Sequence, residues 1–114
     1  MTSPITTHVL DTARGVPARG VRVWLDRETQ PGIWTLAGEG TTDDDGRLRT
    51  LLPPGPFETG AYRITFDVGA YFTAQGVTSF WRLVTVSFVV PEGTTHQHVP
   101  LLVSPFGYST YRGS

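Results

Sequence analysis

Between residues 62 and 68 apolar and polar side chains alternate without a break: Tyr62, Ile64, Phe66 and Val68 fall on one side, Arg63, Thr65 and Asp67 on the other. A period of two is the repeat of a β-strand with one buried face, and a helix would scatter those four apolar residues around its circumference. The pattern returns in Val21, Val23 and Leu25, and again in Val84, Val86, Phe88 and Val90. Half-buried strands need a second layer to cover them, so the chain is constrained to a packed all-β architecture.

Turn chemistry divides the chain into short segments. Asp11 to Pro17, Gln30-Pro31-Gly32, Asp43-Asp44-Asp45-Gly46, Pro53-Pro54-Gly55-Pro56, Pro91-Glu92-Gly93 and Ser104-Pro105 each carry Gly, Pro or Asp of the kind that fixes a turn. Strands are expected over Ile5 to Leu10, around Val21 to Leu25, over Ile33 to Ala37, Arg47 to Leu52 and Tyr62 to Val68, and from Val84 to Val90, His96 to Val103 and Tyr108 to Arg112. Ala70 to Gly76 has weak β character and is expected to form a short helix or structured loop. Seven or eight short strands with one such helix predict a two-sheet antiparallel sandwich. At 114 residues the chain is expected to be a single domain, 1–114, with one core.

The composition narrows the function classes. Nine basic residues against ten acidic give a formal net charge of −1, which offers no footprint for nucleic acid or an anionic membrane. No cysteine is present, so disulfides, thiolate metal sites and cysteine nucleophiles are excluded. Neither a leader-type segment nor an apolar run of about 20 residues occurs, and there is no Ser-Lys-Leu ending, so the expected location is the cytoplasm.

Chemistry-bearing residues concentrate at a few places. All three histidines, His8, His96 and His98, fall in expected strands. His96 and His98 are two apart and share a face on a regular strand. With His8 they suggest either a three-histidine zinc site or metal-free acid–base work, although a strand histidine taken alone is more often a satisfied surface or core residue. Arg47 follows the Asp45-Gly46 turn and Arg49 is its same-face neighbour; position does not choose between them as an anion or carbonyl fork. The ending Tyr111-Arg112-Gly113-Ser114 puts an aromatic hydroxyl, a guanidinium and a serine where chain ends ordinarily fray, and is expected to be part of a site.

Taken together, Thr6-Thr7-His8-Val9-Leu10-Asp11, Asp45-Gly46-Arg47, His98-Val99-Pro100-Leu101-Leu102 and Tyr111-Arg112-Gly113-Ser114 resemble the transthyretin-related 5-hydroxyisourate hydrolases over the whole chain. Gly60-Ala61-Tyr62-Arg63 and Tyr71-Phe72 fit as well. Trp81-Arg82-Leu83 departs from the family pattern, in which an aromatic is followed by Pro and an acidic residue. The terminal tetrapeptide separates the hydrolases from the transthyretin hormone carriers.

The resemblance implies a transthyretin-like sandwich assembled as a homotetramer, a dimer of dimers, with active sites shared between chains. It implies hydrolysis of 5-hydroxyisourate to 2-oxo-4-hydroxy-4-carboxy-5-ureidoimidazoline in urate catabolism, without metal or organic cofactor. His8, His98 and Arg47 are the implied catalytic residues, and His8, Arg47, Tyr111 and Ser114 the implied substrate contacts. His98 is expected to act as base with His8 beside it, and Arg47 to grip ring carbonyls. Arg112 is expected to orient the chain end, and His96 to stand behind the site. The alternatives are the zinc site on His8, His96 and His98, and a non-enzymatic small-ligand carrier.

Overall fold

The protein is described by a computed structural model of residues 2–114. Its strands are β1 (Ile5–Asp11), β2 (Val16–Pro17), β3 (Arg22–Gln30), β4 (Ile33–Thr41), β5 (Arg47–Leu48), β6 (Gly60–Phe66), β7 (Val84–Val90), β8 (Gln97–Ser104) and β9 (Gly107–Thr110), with one helix, α1 (Val68–Thr73). One sheet runs β2-β1-β8-β9, with β5 also paired to β1; the other runs β4-β3-β6-β7. β2 pairs with Leu10 and Asp11 while β5 pairs with Thr7 and His8, so two short strands cover successive lengths of β1.

The expected alternation forms the core. Val23 and Leu25 from β3 meet Tyr62, Ile64 and Phe66 from β6, and the facing sheet supplies Ile5, Val9, Leu101 and Val103; all are at most 1% exposed. Burying a large apolar side chain fully contributes about 1.5–3 kcal/mol before the entropy of ordering is set against it. The opposite rows of β1 and β8 are left to face outward.

Some boundaries differ from the sequence expectation, each for a local reason. Val68 closes no strand: Asp67 caps a helix by accepting from the Ala70 backbone N–H at 3.1 Å. Val68, Tyr71 and Phe72 then share one buried helical face. The strand expected over 47–52 stops at Leu48, after which buried Leu51 crosses β4 at Gly38, where a Cβ would lie 1.7 Å from the Leu51 carbonyl oxygen. β8 begins at Gln97, one residue after His96. All strand pairs are antiparallel except β1 with β8, which run parallel from Ile5↔Gln97 to Asp11↔Val103. A parallel pair needs a long crossover, supplied here by the whole of the second sheet.

The last strand ends earlier than expected, at Thr110. Pro100 lacks the N–H that the ladder needs opposite Tyr111, and the Thr110 hydroxyl instead donates to the Pro100 carbonyl at 2.7 Å. Pairing resumes in the same register at Gly113, whose N–H donates to the His98 carbonyl at 2.9 Å. The end of the described chain is thereby tied beside His98.

Candidate functional site

Three adjacent strands bring distant residues together. In the parallel register Thr6 lies opposite His98, and in the antiparallel register on the other side of β1 His8 lies opposite Arg47. Thr6 and His8 are two apart on β1 and share its outward face. One patch of sheet therefore carries a hydroxyl, two imidazoles and a guanidinium.

The Arg47 position is built by the acidic turn before it. The Asp43 carboxylate accepts from the backbone N–H groups of Asp45 and Arg47, each at 2.9 Å, and these bonds hold its pKa below the ordinary carboxylate value. Gly46 sits at φ 74°, and a Cβ there would stand 2.4 Å from the Val9 carbonyl oxygen, so only glycine lets the turn close against β1. Among the described residues Arg47 makes no ion pair and no side-chain hydrogen bond, which leaves its fork available.

A pocket of about 200 Å³ opens here, lined by Thr6, Arg47, Arg49, His96, His98 and Ser114 with help from the neighbouring threonines. That is small against the roughly 300–1,000 Å³ of drug-sized sites, and suits a single small heterocycle. A depression of about 700 Å³ beside α1 is larger but carries no imidazole. Both arginines that position could not separate line the pocket.

His98 is half-buried at its centre. Its Nδ1 lies 2.8 Å from the Thr6 hydroxyl, leaving Nε2 without a protein partner among the described residues. Burial lowers its pKa first, followed by the charges of Arg47, His96 and His8, while the Thr6 backbone opposes the shift. These surroundings favour the neutral ring more than water does. His8 is turned aside: its Nε2 donates to the Asp45 carbonyl at 2.8 Å, since a carbonyl can only accept. Burial and then Arg47 lower its pKa too.

Gly113 packs on the His98 ring so closely that a Cβ would come 2.5 Å from Cδ2. Ser114 reaches the pocket, whereas Tyr111 and Arg112 line a separate groove with Val86, Phe88 and Gln97. Tyr111 is 60% exposed there, so within one chain it does not join the histidines and Arg47.

The three-histidine zinc site does not form. Among the described residues no group of three or more His, Cys, Asp or Glu side chains is placed to hold a metal, because His8 is drawn to Asp45 while His96 and His98 meet at Thr6. Two contributors have no role in the sequence reading. Asp43 is legible as the start of an Asp-rich turn, whereas Thr6, though part of the motif Thr6 to Asp11, gains its place beside His98 only when β1 and β8 are paired.

Residues 5–113 match the model of the HIUase/Transthyretin family. The chain is 44% identical over 113 residues to a 5-hydroxyisourate hydrolase of Mus musculus, a match covering 98% of this chain and 96% of the relative. A solved Klebsiella pneumoniae 5-hydroxyisourate hydrolase superposes with a TM-score of 0.82 at 35% identity, covering 96% of this chain and 98% of the other. Sea bream transthyretin, solved in complex with thyroxine, superposes with a TM-score of 0.89 at 38% identity, covering 96% and 94%.

Proposed function

Because the chain belongs to the HIUase/Transthyretin family, we propose that it is an enzyme hydrolysing 5-hydroxyisourate in urate catabolism, opening a ring carbon–nitrogen bond to give 2-oxo-4-hydroxy-4-carboxy-5-ureidoimidazoline. The observation that carries this reading is the convergence of His98, with its Nε2 free among the described residues, Arg47 and Ser114 on one pocket of about 200 Å³. Full-length relatives bearing the hydrolase name support it, while fold likeness alone would serve a carrier equally well.

In this mechanism His98 Nε2 takes a proton from water as the oxygen attacks a ring carbonyl carbon. The carbonyl becomes an oxyanion held by Arg47, a form of stabilisation whose removal typically costs ~10²–10³ in rate. Collapse restores the carbonyl and breaks the adjacent carbon–nitrogen bond, and the departing nitrogen takes the proton from the His98 imidazolium. One water is added and His98 is regenerated. His8, close enough to lower the His98 pKa, disfavours a second positive charge beside it. Ser114 positions the ring, and no metal or organic cofactor takes part.

The active assembly in this reading is a cytoplasmic homotetramer, a dimer of dimers, with no nucleic-acid or membrane partner. Edge strand β7 exposes Val89 at 68%, and Phe80 and Phe106 are 72% and 73% exposed, which supports burial against further copies. Tyr111 would then serve a site shared between chains. No helix among the described residues is long and apolar enough to cross a membrane.

The test is ultraviolet decay of 5-hydroxyisourate generated from urate by urate oxidase, with and without this protein. Dose-dependent acceleration is expected. Unchanged decay with folded protein would shift the reading to a small-ligand carrier.

A further inference from the structure

His96 is left without a part in the mechanism above, yet it touches a residue that touches the base. The Thr6 hydroxyl lies 3.1 Å from His96 Nε2 and 2.8 Å from His98 Nδ1, and Thr6 itself is only 6% exposed. The two rings are nearly parallel, 13° apart with centroids at 6.5 Å, so the hydroxyl is held between them.

A hydroxyl has one proton to donate. Between two neutral imidazoles it donates to one ring nitrogen and accepts an N–H from the other, so the two tautomers are linked through Thr6. If Thr6 donated to His98, that ring would carry its proton on Nε2 and face the pocket as a donor. If Thr6 donates to His96, His98 carries its proton on Nδ1 and faces the pocket with a lone pair. A base that faces the pocket needs that lone pair, so the hydrolase reading selects the second arrangement.

We propose that Thr6 and His96 are positioning residues that set the tautomer of His98: His98 Nδ1–H donates to the Thr6 hydroxyl, Thr6 donates to His96 Nε2, and His98 presents an unprotonated Nε2 to the pocket. His96 carries its own proton on Nδ1 in this arrangement. After His98 takes the proton of water, its Nδ1–H remains on Thr6, so the ring keeps its orientation while charged. The link between the two rings through Thr6 stands on geometry alone, while the choice of tautomer rests on the hydrolase reading.

The direct experiment is ¹⁵N NMR of the histidine rings in the full chain above pH 8, where the imidazoles are neutral. A protonated Nδ1 and a pyridine-like Nε2 on His98 are expected; the reverse overturns the proposal, whether or not 5-hydroxyisourate proves to be the substrate. Thr6→Val keeps the shape and removes the hydroxyl. It should raise the Nε2–H population of His98 and lower kcat at least ~10-fold with KM little changed, as for a misdirected base. Thr6→Ser should restore both. His96→Gln places an acceptor where Nε2 was and should retain more kcat than His96→Phe, which has none. A His98 tautomer unmoved by Thr6→Val, or equal losses in Thr6→Ser and Thr6→Val, would overturn the proposal.

Discussion

Arg63 and Arg47 are both strand arginines on outward faces, one on each sheet, and their surroundings differ in kind. Arg63 donates from Nε to Asp26 at 3.0 Å and lies over the Trp34 ring at 4.6 Å. Its charge and its flat surface are both occupied, as are those of Arg22, which lies over Trp24 at 5.3 Å and pairs loosely with Glu39. Arg47 instead opens on a pocket beside lowered-pKa histidines and, among the described residues, pairs with no carboxylate. The two sheets share an architecture and a core. The outward face whose polar groups are left incomplete is the one to which the proposed function assigns the substrate.

The most severe way to break this contrast is to exchange the groups themselves. His98→Asn should lose about 10²–10⁴-fold in kcat, the usual contribution of a well-placed base, and Arg47→Lys about 10²-fold because a lysine keeps the charge without the fork. Arg63→Lys on the other sheet should stay near the parent rate. Equal losses at Arg47 and Arg63 in the 5-hydroxyisourate decay assay would erase the distinction.

Gly113→Ala sharpens it, because the added methyl must displace the His98 ring it would meet at 2.5 Å. A misplacement of that order is expected to cost about 10–10²-fold in kcat, with the unfolding midpoint close to that of the parent. A fall in stability with unchanged kcat would make Gly113 a packing residue only.

Tyr71→Phe probes the reverse case, a polar contact that belongs to the fold. The Tyr71 hydroxyl donates at 2.9 Å to Asp11, which is 1% exposed and also accepts from the Ala13 and Arg14 backbones. Removing that donor should cost about 1–3 kcal/mol in denaturant unfolding while leaving kcat intact.

The smallest effect expected is on pH. His8 and His98 both have pKa values lowered mainly by burial and, secondly, by Arg47. The neutral form of the proposed base therefore persists to lower pH than a free imidazole allows, and the acid limb of kcat/KM should have its midpoint below about 6.5. The sign for stability follows: unfolded imidazoles take protons first, so stability falls as pH drops below about 6.5 and stops falling beneath the folded pKa values. Arg47→Ala should move the His98 midpoint upward, and an acid limb already above 6.5 in the parent would contradict the electrostatics.

Period-two alternation by itself determined the core, because Tyr62, Ile64 and Phe66 have only one way to be buried together on a strand. The spacing Asp43 to Gly46 determined the turn that presents Arg47, since side-chain acceptance and positive φ are local properties. The motifs determined the family. Alternation carries no record of strand direction, however, and nothing near His98 in the chain points to Thr6. Only the tertiary structure decided that β1 and β8 run parallel, that Thr6 stands between two imidazoles, and that the ladder lapses at Pro100 and resumes at Gly113. It also separated Ser114 from Tyr111, neighbours in one motif that line different hollows. The physical reason is that a hydrogen-bond register joins residues far apart in the chain, and such pairings are fixed by the packing of both sheets rather than by any local preference.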